Sequence, residues 1–301
     1  MEKHSGFVSL IGNPNAGKST LLNTLLGEEL SVVTPKPQTT RNKIIGILTR
    51  ENYQIVFLDT PGILEPKYKL QEFMKREIQS SFDEADMVLF IIDVGKYERE
   101  VMKKTIERLG ISHDKKIFCV LNKIDLLKKE EVMLILDDIS KNFSFQELIP
   151  VSAKKKFNTD KLLELVISNL PENEFFYDEE HIASQPEKFF VSEIIRGEGM
   201  KALKEELPYS IFVGIEEFAI RDSGKHFINA SIIVDRDSHK KIVIGEGGNK
   251  IKRIGEQARK KIEIFLDKEI FLELFVKVKK NWRDDESFIK NSIGKLTTAG
   301  N

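Results

Sequence analysis

Residues 12–19 combine two glycines, a lysine and a serine at a spacing that suits phosphate binding. Gly12 and Gly17 let the backbone curl so that its N–H groups point inward, towards phosphate oxygens. Lys18 can then reach the β- and γ-phosphates of a nucleotide, while the Ser19 hydroxyl can ligate Mg²⁺. An apolar stretch precedes the loop and a helix-like stretch follows it, as such a loop requires. The pattern therefore predicts a phosphate-binding loop.

A carboxylate and a glycine after another apolar stretch predict the magnesium side of the same site. Asp59 follows residues 54–58 and comes 40 positions after Ser19. An aspartate at the end of such a strand helps to hold Mg²⁺. Gly62 can present its backbone N–H to a γ-phosphate because no side chain intervenes.

Asn122, Lys123 and Asp125 form a polar turn directly after an apolar stretch. The Asp125 carboxylate can accept two hydrogen bonds, from N1–H and the 2-amino group of guanine. Adenine lacks this pair of donors, and a site built to hydrogen-bond one base strongly rejects an analogue without the partner groups. Asn122 and the Lys123 side chain would connect the base to the phosphate loop. Further along, the backbone N–H of Ala153 is placed to meet the guanine O6.

A loop is predicted at residues 28–42, where residues 34–41 contain two prolines and clustered small polar side chains. Downstream of a phosphate loop, a segment of this kind is placed to sense the bound nucleotide. Either Thr39 or Thr40 could supply a second Mg²⁺ ligand.

The elements that position these motifs follow from the apolar patterns. Strands are predicted at 7–11, 43–49, 54–58, 87–93, 116–121 and 147–151. Helices are predicted at 20–26, 68–82, 99–109, 130–141 and 159–170, with Thr159 as the N-cap of the last and Pro171 ending it. A continuous apolar run such as 87–93 is typical of parallel sheets. We therefore expect an α/β fold with a mixed, mostly parallel sheet and helices on both faces.

Over residues 7–170 these motifs, in this order, resemble the Ras-like GTP-binding domain, and within it the bacterial ribosome- and RNA-associated branch. The resemblance implies GTP or GDP and Mg²⁺ as ligands. It implies metal ligation by Ser19, Thr40 and Asp59, and catalytic roles for Lys18, Thr40 and Gly62. The expected nucleotide-binding residues are Gly12, Asn13, Pro14, Asn15, Ala16, Gly17, Lys18, Ser19, Thr20, Asp59, Thr60, Pro61, Gly62, Ile63, Asn122, Lys123, Asp125, Ser152, Ala153 and Lys154.

Two positions in this set bear on hydrolysis. Ile63 stands where Ras-like enzymes place a water-orienting glutamine. Either another group positions the water, or hydrolysis is slow until a partner or an ion assists. In some relatives the residue equivalent to Asn15 helps to hold a K⁺ ion that replaces a catalytic arginine. The resemblance therefore implies K⁺ stimulation as a hypothesis.

Residues 171–187 are acidic and contain prolines near both ends, which predicts a linker. We expect it to dock through Phe175, Phe176 and Tyr177. Beyond it, a helix is predicted at 188–207, two strands at 209–221 and 226–235 joined by a turn at 222–225, and a last strand at 269–278. A terminal helix is expected at 281–291, followed by a frayed end.

Residues 238–261 have a pattern that resembles the nucleic-acid-gripping loop of a KH domain, in which G-x-x-G joins two short helices. The loop backbone of such domains approaches about four nucleotides. Residues 239–261 carry eight lysines and arginines against two glutamates, a net charge of +6. Glu246 departs from the usual basic loop residue, and it points outward or weakens the grip. The expected RNA-binding residues are Lys240, Lys241, Gly245, Glu246, Gly247, Gly248, Lys250, Lys252 and Arg253.

Composition limits the other classes of function. The chain has 301 residues, of which 41% are hydrophobic and 32% charged, with a net charge of −1. This length suggests two domains, and the overall charge does not indicate a nucleic-acid partner. Cys119 is the single cysteine and lies in an apolar stretch, so neither a disulfide framework nor a zinc cluster is predicted. Residues 1–5 lack the apolar region of a signal peptide, and we expect a cytoplasmic protein.

A GTPase domain at 1–170, a linker at 171–187 and an α+β type II KH domain at 188–301 together resemble the Era family of GTPases. The resemblance implies binding near the 3′ end of 16S rRNA in the small (30S) ribosomal subunit, loose association with the inner membrane, and a monomer. Two other classes stay open: a nucleotide-switched RNA scaffold with incidental hydrolysis, and a GTPase of tRNA modification or of membranes.

Overall fold

The computed structural model describes residues 2–110, 115–221 and 226–294. They divide into two compact units. The first comprises the described residues within 1–31, 40–66 and 71–184, and the second comprises those within 32–39, 67–70 and 185–301.

The first unit is built on a six-stranded sheet in the order β2-β3-β1-β4-β5-β6. Its strands are β1 (His4–Gly12), β2 (Ile44–Arg50), β3 (Tyr53–Asp59), β4 (Met87–Asp93), β5 (Lys116–Asn122) and β6 (Glu147–Pro150). Its helices are α1 (Lys18–Leu26), α2 (Lys69–Glu84), α3 (Arg99–Leu109), α4 (Lys129–Asn142) and α5 (Thr159–Ser168). All neighbouring strands are parallel except β2 and β3, which are antiparallel. The expected mixed, mostly parallel sheet is confirmed.

The parallel strands place the predicted motifs at one edge of this sheet. β1 ends at Gly12, β3 at Asp59, β4 at Asp93 and β5 at Asn122. Ligands of open α/β sheets bind beyond the carboxyl ends of the strands. The sheet therefore gathers residues that are up to 110 positions apart in the chain.

Residues 171–184 belong to the first unit and run along the sheet. The buried amide of Gln54 accepts hydrogen bonds from the N–H groups of Phe176 and Tyr177, at 2.8 and 3.0 Å, and donates to the Tyr177 carbonyl at 2.8 Å. The ring of Phe176 packs against Phe7, with 4.7 Å between ring centroids. Docking of this segment through its aromatic residues is confirmed for Phe176.

The second unit packs its longer helices on a three-stranded sheet in the order β7-β8-β9. Its elements are α6 (Glu187–Ala202), β7 (Phe212–Ile220), β8 (His226–Val234), α7 (Asp237–Ile244), α8 (Asn249–Leu266) and β9 (Ile270–Val278). β7 is antiparallel to β8, and β8 is parallel to β9. The order helix-strand-strand-helix-helix-strand confirms the predicted type II KH arrangement. The predicted turn at 222–225 lies outside the described residues.

Residues 32–39, which the sequence predicts only as a loop, pack against α6 within the second unit. A methyl group on Gly197 would lie 2.4 Å from Val32 Cγ1, so the loop approaches the helix at a residue without a side chain. Arg196 is fully buried, pairs with Glu193 and donates to the Thr39 carbonyl. The segment is therefore packed against a helix far along the chain.

Three predicted details of local structure are wrong. α5 begins at Thr159, but its N-cap is Asn158, whose left-handed backbone (φ 57°) ends the preceding turn. The helix predicted at 188–207 ends at Ala202, where the chain becomes extended. The single helix expected at 281–291 is replaced by a 3₁₀ turn, one helical turn and a π-helical turn. The buried Trp282 indole, which donates to the Ser210 carbonyl at 3.2 Å, holds the 3₁₀ turn.

Within residues 2–110, 115–221 and 226–294, no helix combines the length and the apolar composition that crossing a bilayer would need.

Candidate nucleotide and nucleic-acid sites

At two contact points around the loop after β1, there is no room for a side chain. Gly17 has a left-handed backbone (φ 98°), and a Cβ there would lie 2.2 Å from the Asn122 side-chain nitrogen. A Cβ on Gly62 would lie 2.7 Å from the backbone of Pro14. The loop is thus packed directly against the ends of β3 and β5, which explains the need for glycine at these positions.

Lys18 lies inside the loop and is 5% exposed. Its ammonium donates to the carbonyls of Gly12 at 3.1 Å and Asn13 at 3.2 Å. Burial lowers the pKa of Lys18 from its usual 10.5 to about 8, and the neighbouring Asp59 carboxylate opposes this shift. A buried cation held by neutral carbonyls is ready to exchange these contacts for phosphate oxygens, which carry negative charge.

Three oxygen-bearing side chains meet beside Lys18. The Ser19 hydroxyl donates to Asp59 Oδ2 at 2.7 Å and lies 3.0 Å from Thr40 Oγ1. Asp59 is fully buried, and burial raises its pKa. Among the described residues, nothing donates a hydrogen bond to Asp59 Oδ1. A buried carboxylate oxygen without a partner, next to two hydroxyls, fits the all-oxygen ligands that Mg²⁺ prefers.

The geometry favours Thr40 over Thr39 as the threonine of this group. The Thr39 hydroxyl lies 2.7 Å from Thr34 Oγ1 and donates to the Lys36 carbonyl at 2.7 Å. Thr40, in contrast, is 8% exposed and contacts Ser19.

Ser31 is a member of this site that the sequence did not indicate. Its buried hydroxyl donates to Asp59 Oδ2 at 3.1 Å. The Asn23 amide of α1 holds the Ser31 backbone on both sides, accepting from its N–H and donating to its carbonyl, each at 2.8 Å. The hydrogen bond joins residues 28 positions apart, and no local sequence motif predicts it.

The base end of the site is held by Asn122 and Ser152. The Asn122 amide donates to the Ala16 carbonyl at 2.8 Å and accepts from the Ala153 N–H at 3.0 Å. Ser152 is buried and donates to Asp125 Oδ1 at 2.5 Å. This bond orients the Asp125 carboxylate, which is exposed. The Ala153 N–H, expected to meet guanine O6, already donates to Asn122, so it would have to share this bond.

The segment after Asp59 is fixed by its backbone and by burial. Thr60 donates to the Leu10 carbonyl at 2.8 Å, and the Ile63 N–H donates to the Gly12 carbonyl at 3.1 Å. The Ile63 side chain packs against the hydrophobic core. It therefore contributes to packing and not to a polar contact with water. The remaining predicted contacts, Pro14, Thr20, Pro61 and Lys154, belong to the same loops and helix start.

The second candidate site is the loop between α7 and α8. Gly245, Gly247 and Gly248 all have positive φ, at 75°, 57° and 78°. A Cβ on Gly245 would lie 2.7 Å from Lys250 Cβ. The loop thus depends on glycine for its shape, and Glu246 at its tip is exposed.

The two helices beside this loop bury one face and expose the charges. Val243, Ile254 and Ala258 lie in the core of the second unit. Ile242, by contrast, is 47% exposed and stands next to the loop. The predicted RNA-binding side chains Lys241, Lys252 and Arg253 are exposed, and Lys240 and Lys250 are half-buried.

The fold and the first site define a P-loop GTPase, and the second unit is a KH domain. A family model described as 50S ribosome-binding GTPase matches residues 7–123, and a KH domain model matches residues 206–283. GTPase Era of Clostridium novyi (strain NT) is 45% identical over 291 residues, which cover 95% of this chain and 97% of that protein. GTPase Era of Clostridium kluyveri (strain NBRC 12016) is 43% identical with the same coverage. The chain belongs to the GTPase Era family and is a GTPase.

Two solved structures show the same two-part fold. Era in complex with MgGDPNP and nucleotides 1506–1542 of 16S ribosomal RNA matches with a TM-score of 0.93 and 37% identity, covering 96% of this chain and 98% of that one. A variant of Aquifex aeolicus Era bound to GDP·AlF4⁻ matches with the same TM-score and identity, covering 95% and 98%.

Proposed function

We propose that this protein binds the 3′-terminal region of 16S rRNA and hydrolyses GTP during assembly of the small ribosomal subunit. The proposal rests on one observation: the same chain contains the buried phosphate-loop group of Lys18, Ser19 and Asp59 and the glycine loop at 245–248. The structure of Era with 16S rRNA nucleotides 1506–1542 supports it.

At the phosphate end, the Lys18 ammonium neutralises charge on the β- and γ-phosphates, and the Gly62 N–H donates to the γ-phosphate. Ser19, Thr40 and Asp59 would hold Mg²⁺, which supplies electrophilic assistance at the phosphate oxygens when bound. Ser31 keeps the Asp59 carboxylate in place through its hydrogen bond.

At the base end, Asp125 accepts hydrogen bonds from N1–H and the 2-amino group of guanine. Ser152 holds one oxygen of this carboxylate at 2.5 Å, which limits its rotation. A pre-oriented acceptor loses less conformational entropy when the base binds. Asn122 ties this end to the phosphate loop through the Ala16 carbonyl.

Hydrolysis by the isolated protein is slow in this proposal, because the apolar Ile63 side chain, half-buried against the core, cannot orient a water. We expect an intrinsic rate on the order of 10⁻⁴ s⁻¹, up to about a hundredfold higher. Asn15, whose backbone is left-handed with φ 62°, is the candidate K⁺ ligand. We place the protein in the cytoplasm as a monomer, with peripheral contact to the inner membrane.

The test compares two RNAs of equal length, one with the sequence of nucleotides 1506–1542 and one shuffled. Fluorescence anisotropy should show preferential binding of the first RNA in the presence of a non-hydrolysable GTP analogue. Equal affinity for both RNAs would contradict the proposed target.

A second candidate is a nucleotide-switched RNA scaffold whose hydrolysis is incidental, and the packed Ile63 favours it. GTP turnover with and without purified 30S subunits separates the two. Stimulated turnover supports the assembly GTPase, whereas RNA binding with unchanged turnover supports the scaffold.

A further inference from the structure

Asp93, which none of the predicted motifs contains, is the last residue of β4 and uses both carboxylate oxygens within the nucleotide site. Oδ1 accepts from the Gly95 N–H at 3.1 Å, and Oδ2 accepts from the Lys123 ammonium at 2.8 Å. Asp93 pairs with Asn122 across the β4–β5 ladder. Its side chain is only 9% exposed. This carboxylate is therefore built into the strand end and directed at Lys123.

Lys123 joins Asp93 to the phosphate loop. Its ammonium also donates to the Asn15 carbonyl at 2.6 Å, and its backbone is left-handed with φ 68°. A lysine side chain has four flexible carbons, and about 2 kcal/mol of rotamer entropy opposes fixing it in one place. Both bonds have an ionised donor, but only the Asp93 carboxylate adds the attraction of an opposite charge. Asp93 thus supplies the stronger of the two acceptors that hold this side chain.

We propose that Asp93 is a positioning residue for the guanine nucleotide. It fixes the Lys123 side chain beside the base, and through Lys123 it fixes the Asn15 carbonyl of the phosphate loop. The inference rests on the proposed role of Lys123 in nucleotide binding. GDP and GTP share the base and the sugar, so loss of Asp93 should weaken both nucleotides equally.

Asp93→Asn separates this role from a structural one. The amide oxygen can still accept from the Gly95 N–H, so the turn after β4 keeps its cap. The amide nitrogen cannot accept from an ammonium, so Lys123 loses one partner. We expect GDP and GTP to bind about tenfold more weakly, mainly through faster dissociation, measured by stopped flow with fluorescent nucleotides.

Asp86→Asn is the matched control. Asp86 stands at the other end of β4, where its carboxylate accepts from the Phe7 N–H at 2.8 Å. Asp86 directly precedes β4, so this change removes a negative charge beside the other end of the strand without touching the site. Nucleotide affinity should stay at the wild-type value. Asp93→Ser serves as a second test variant, since its hydroxyl can cap the turn but carries no charge.

A double-mutant cycle with Lys123→Met provides the decisive readout. Asp93→Asn should cause no further loss of affinity in the Lys123→Met background, because the two residues act as a unit. The ratio of GDP to IDP affinity should not change with Asp93→Asn, since IDP lacks only the 2-amino group that Asp125 recognises. Additive losses, or a collapsed GDP/IDP ratio, would show a general structural effect and overturn the inference.

Two outcomes distinguish this inference from the proposed function. If Lys123→Met weakens binding but Asp93→Asn and Asp93→Ser do not, only the role of Asp93 fails. If Lys123→Met itself leaves GDP affinity unchanged, the assignment of Lys123 to the nucleotide site fails, and the inference fails with it.

Discussion

The two candidate sites are built on different principles. In the nucleotide site, side chains from a helix, a loop and a strand end bond to one another, as Ser19 and Ser31 do with the buried Asp59. In the loop at 245–248, the shape comes from three glycines with positive φ, and the charged side chains stand around it in contact with solvent. A substitution in the first site should therefore disturb buried partners. A substitution in the second should change binding while leaving the fold intact.

The largest expected effect is that of Lys18→Ala on GTP binding. Lys18 is buried and donates two hydrogen bonds inside the loop that receives the phosphates. Hydrogen bonds to charged groups contribute about 1.5–3 kcal/mol each, so GTP affinity should fall on the order of 100- to 10,000-fold. Isothermal titration calorimetry measures the loss, with the exposed Lys96→Ala as control. An affinity equal to wild type would remove the phosphate-loop assignment.

The loop at 245–248 should show the opposite behaviour when Glu246-Gly247 is replaced by Asp-Asp. Two carboxylates would face a phosphate backbone and repel it. RNA affinity should therefore fall by at least about 100-fold. GTP affinity should not change. RNA binding is measured by anisotropy, with circular dichroism to check the fold.

Gly247 requires a further control, because its φ of 57° strains most side chains. Asparagine tolerates this conformation about as well as aspartate does. Gly247→Asn therefore imposes the same backbone strain as Gly247→Asp but adds no charge. If both weaken RNA binding equally, backbone shape and not charge explains the loss. If the folded Asp-Asp variant binds RNA as wild type does, the loop is only a structural turn.

The same contrast decides what could be predicted from sequence. The residues of local motifs, such as Gly17 and Asn122, could be placed because strand, turn and helix signals surround them. The contacts of Ser31 with Asp59 and of Asp93 with Lys123 could not, since they join residues 28 and 30 positions apart. Such pairs depend on which strands are neighbours and in which register, and a single sequence does not state that.

The packing of loops also could not be predicted from the sequence. Prolines and small polar residues predict that residues 34–41 lack regular structure, but they carry no apolar period that would indicate a packing face. Lys36 donates to the carbonyl of Met200, near the end of α6, at 2.5 Å. Nothing in the sequence of this segment predicts that contact. The turn around Trp282 was not predictable for a similar reason, because its indole bonds to Ser210 and packs against Phe212, both distant in the chain.

A smaller effect is expected from pH. Burial lowers the pKa of Lys18 to about 8 in the free protein, and bound phosphates should raise it again. Above pH 8 the complex then holds more protons than the free protein, so GTP affinity should fall as pH rises, by at most tenfold per pH unit.

Calorimetry at pH 8.5 in two buffers of different ionisation enthalpy measures this proton uptake directly. RNA affinity of the same protein, measured over the same range, is the comparison, because Lys18 is not part of the loop at 245–248. A GTP affinity independent of pH between 7 and 9 would contradict the effect of burial on Lys18.

The smallest expected effect is that of Glu246→Lys on the salt dependence of RNA binding. Glu246 is exposed at the tip of the loop, so a lysine there can reach a phosphate without displacing any buried group. One new phosphate contact with single-stranded nucleic acid should steepen the slope of log affinity against log salt by about 0.7. Anisotropy titrations from low to high salt measure this slope for the wild type and the variant. Glu256→Lys is the control, because it makes the same charge change within α8 and away from the loop tip. If the slope steepens equally for Glu256→Lys, overall charge and not contact at the loop tip controls RNA binding. An unchanged slope for Glu246→Lys would instead place the tip of the loop away from the RNA backbone.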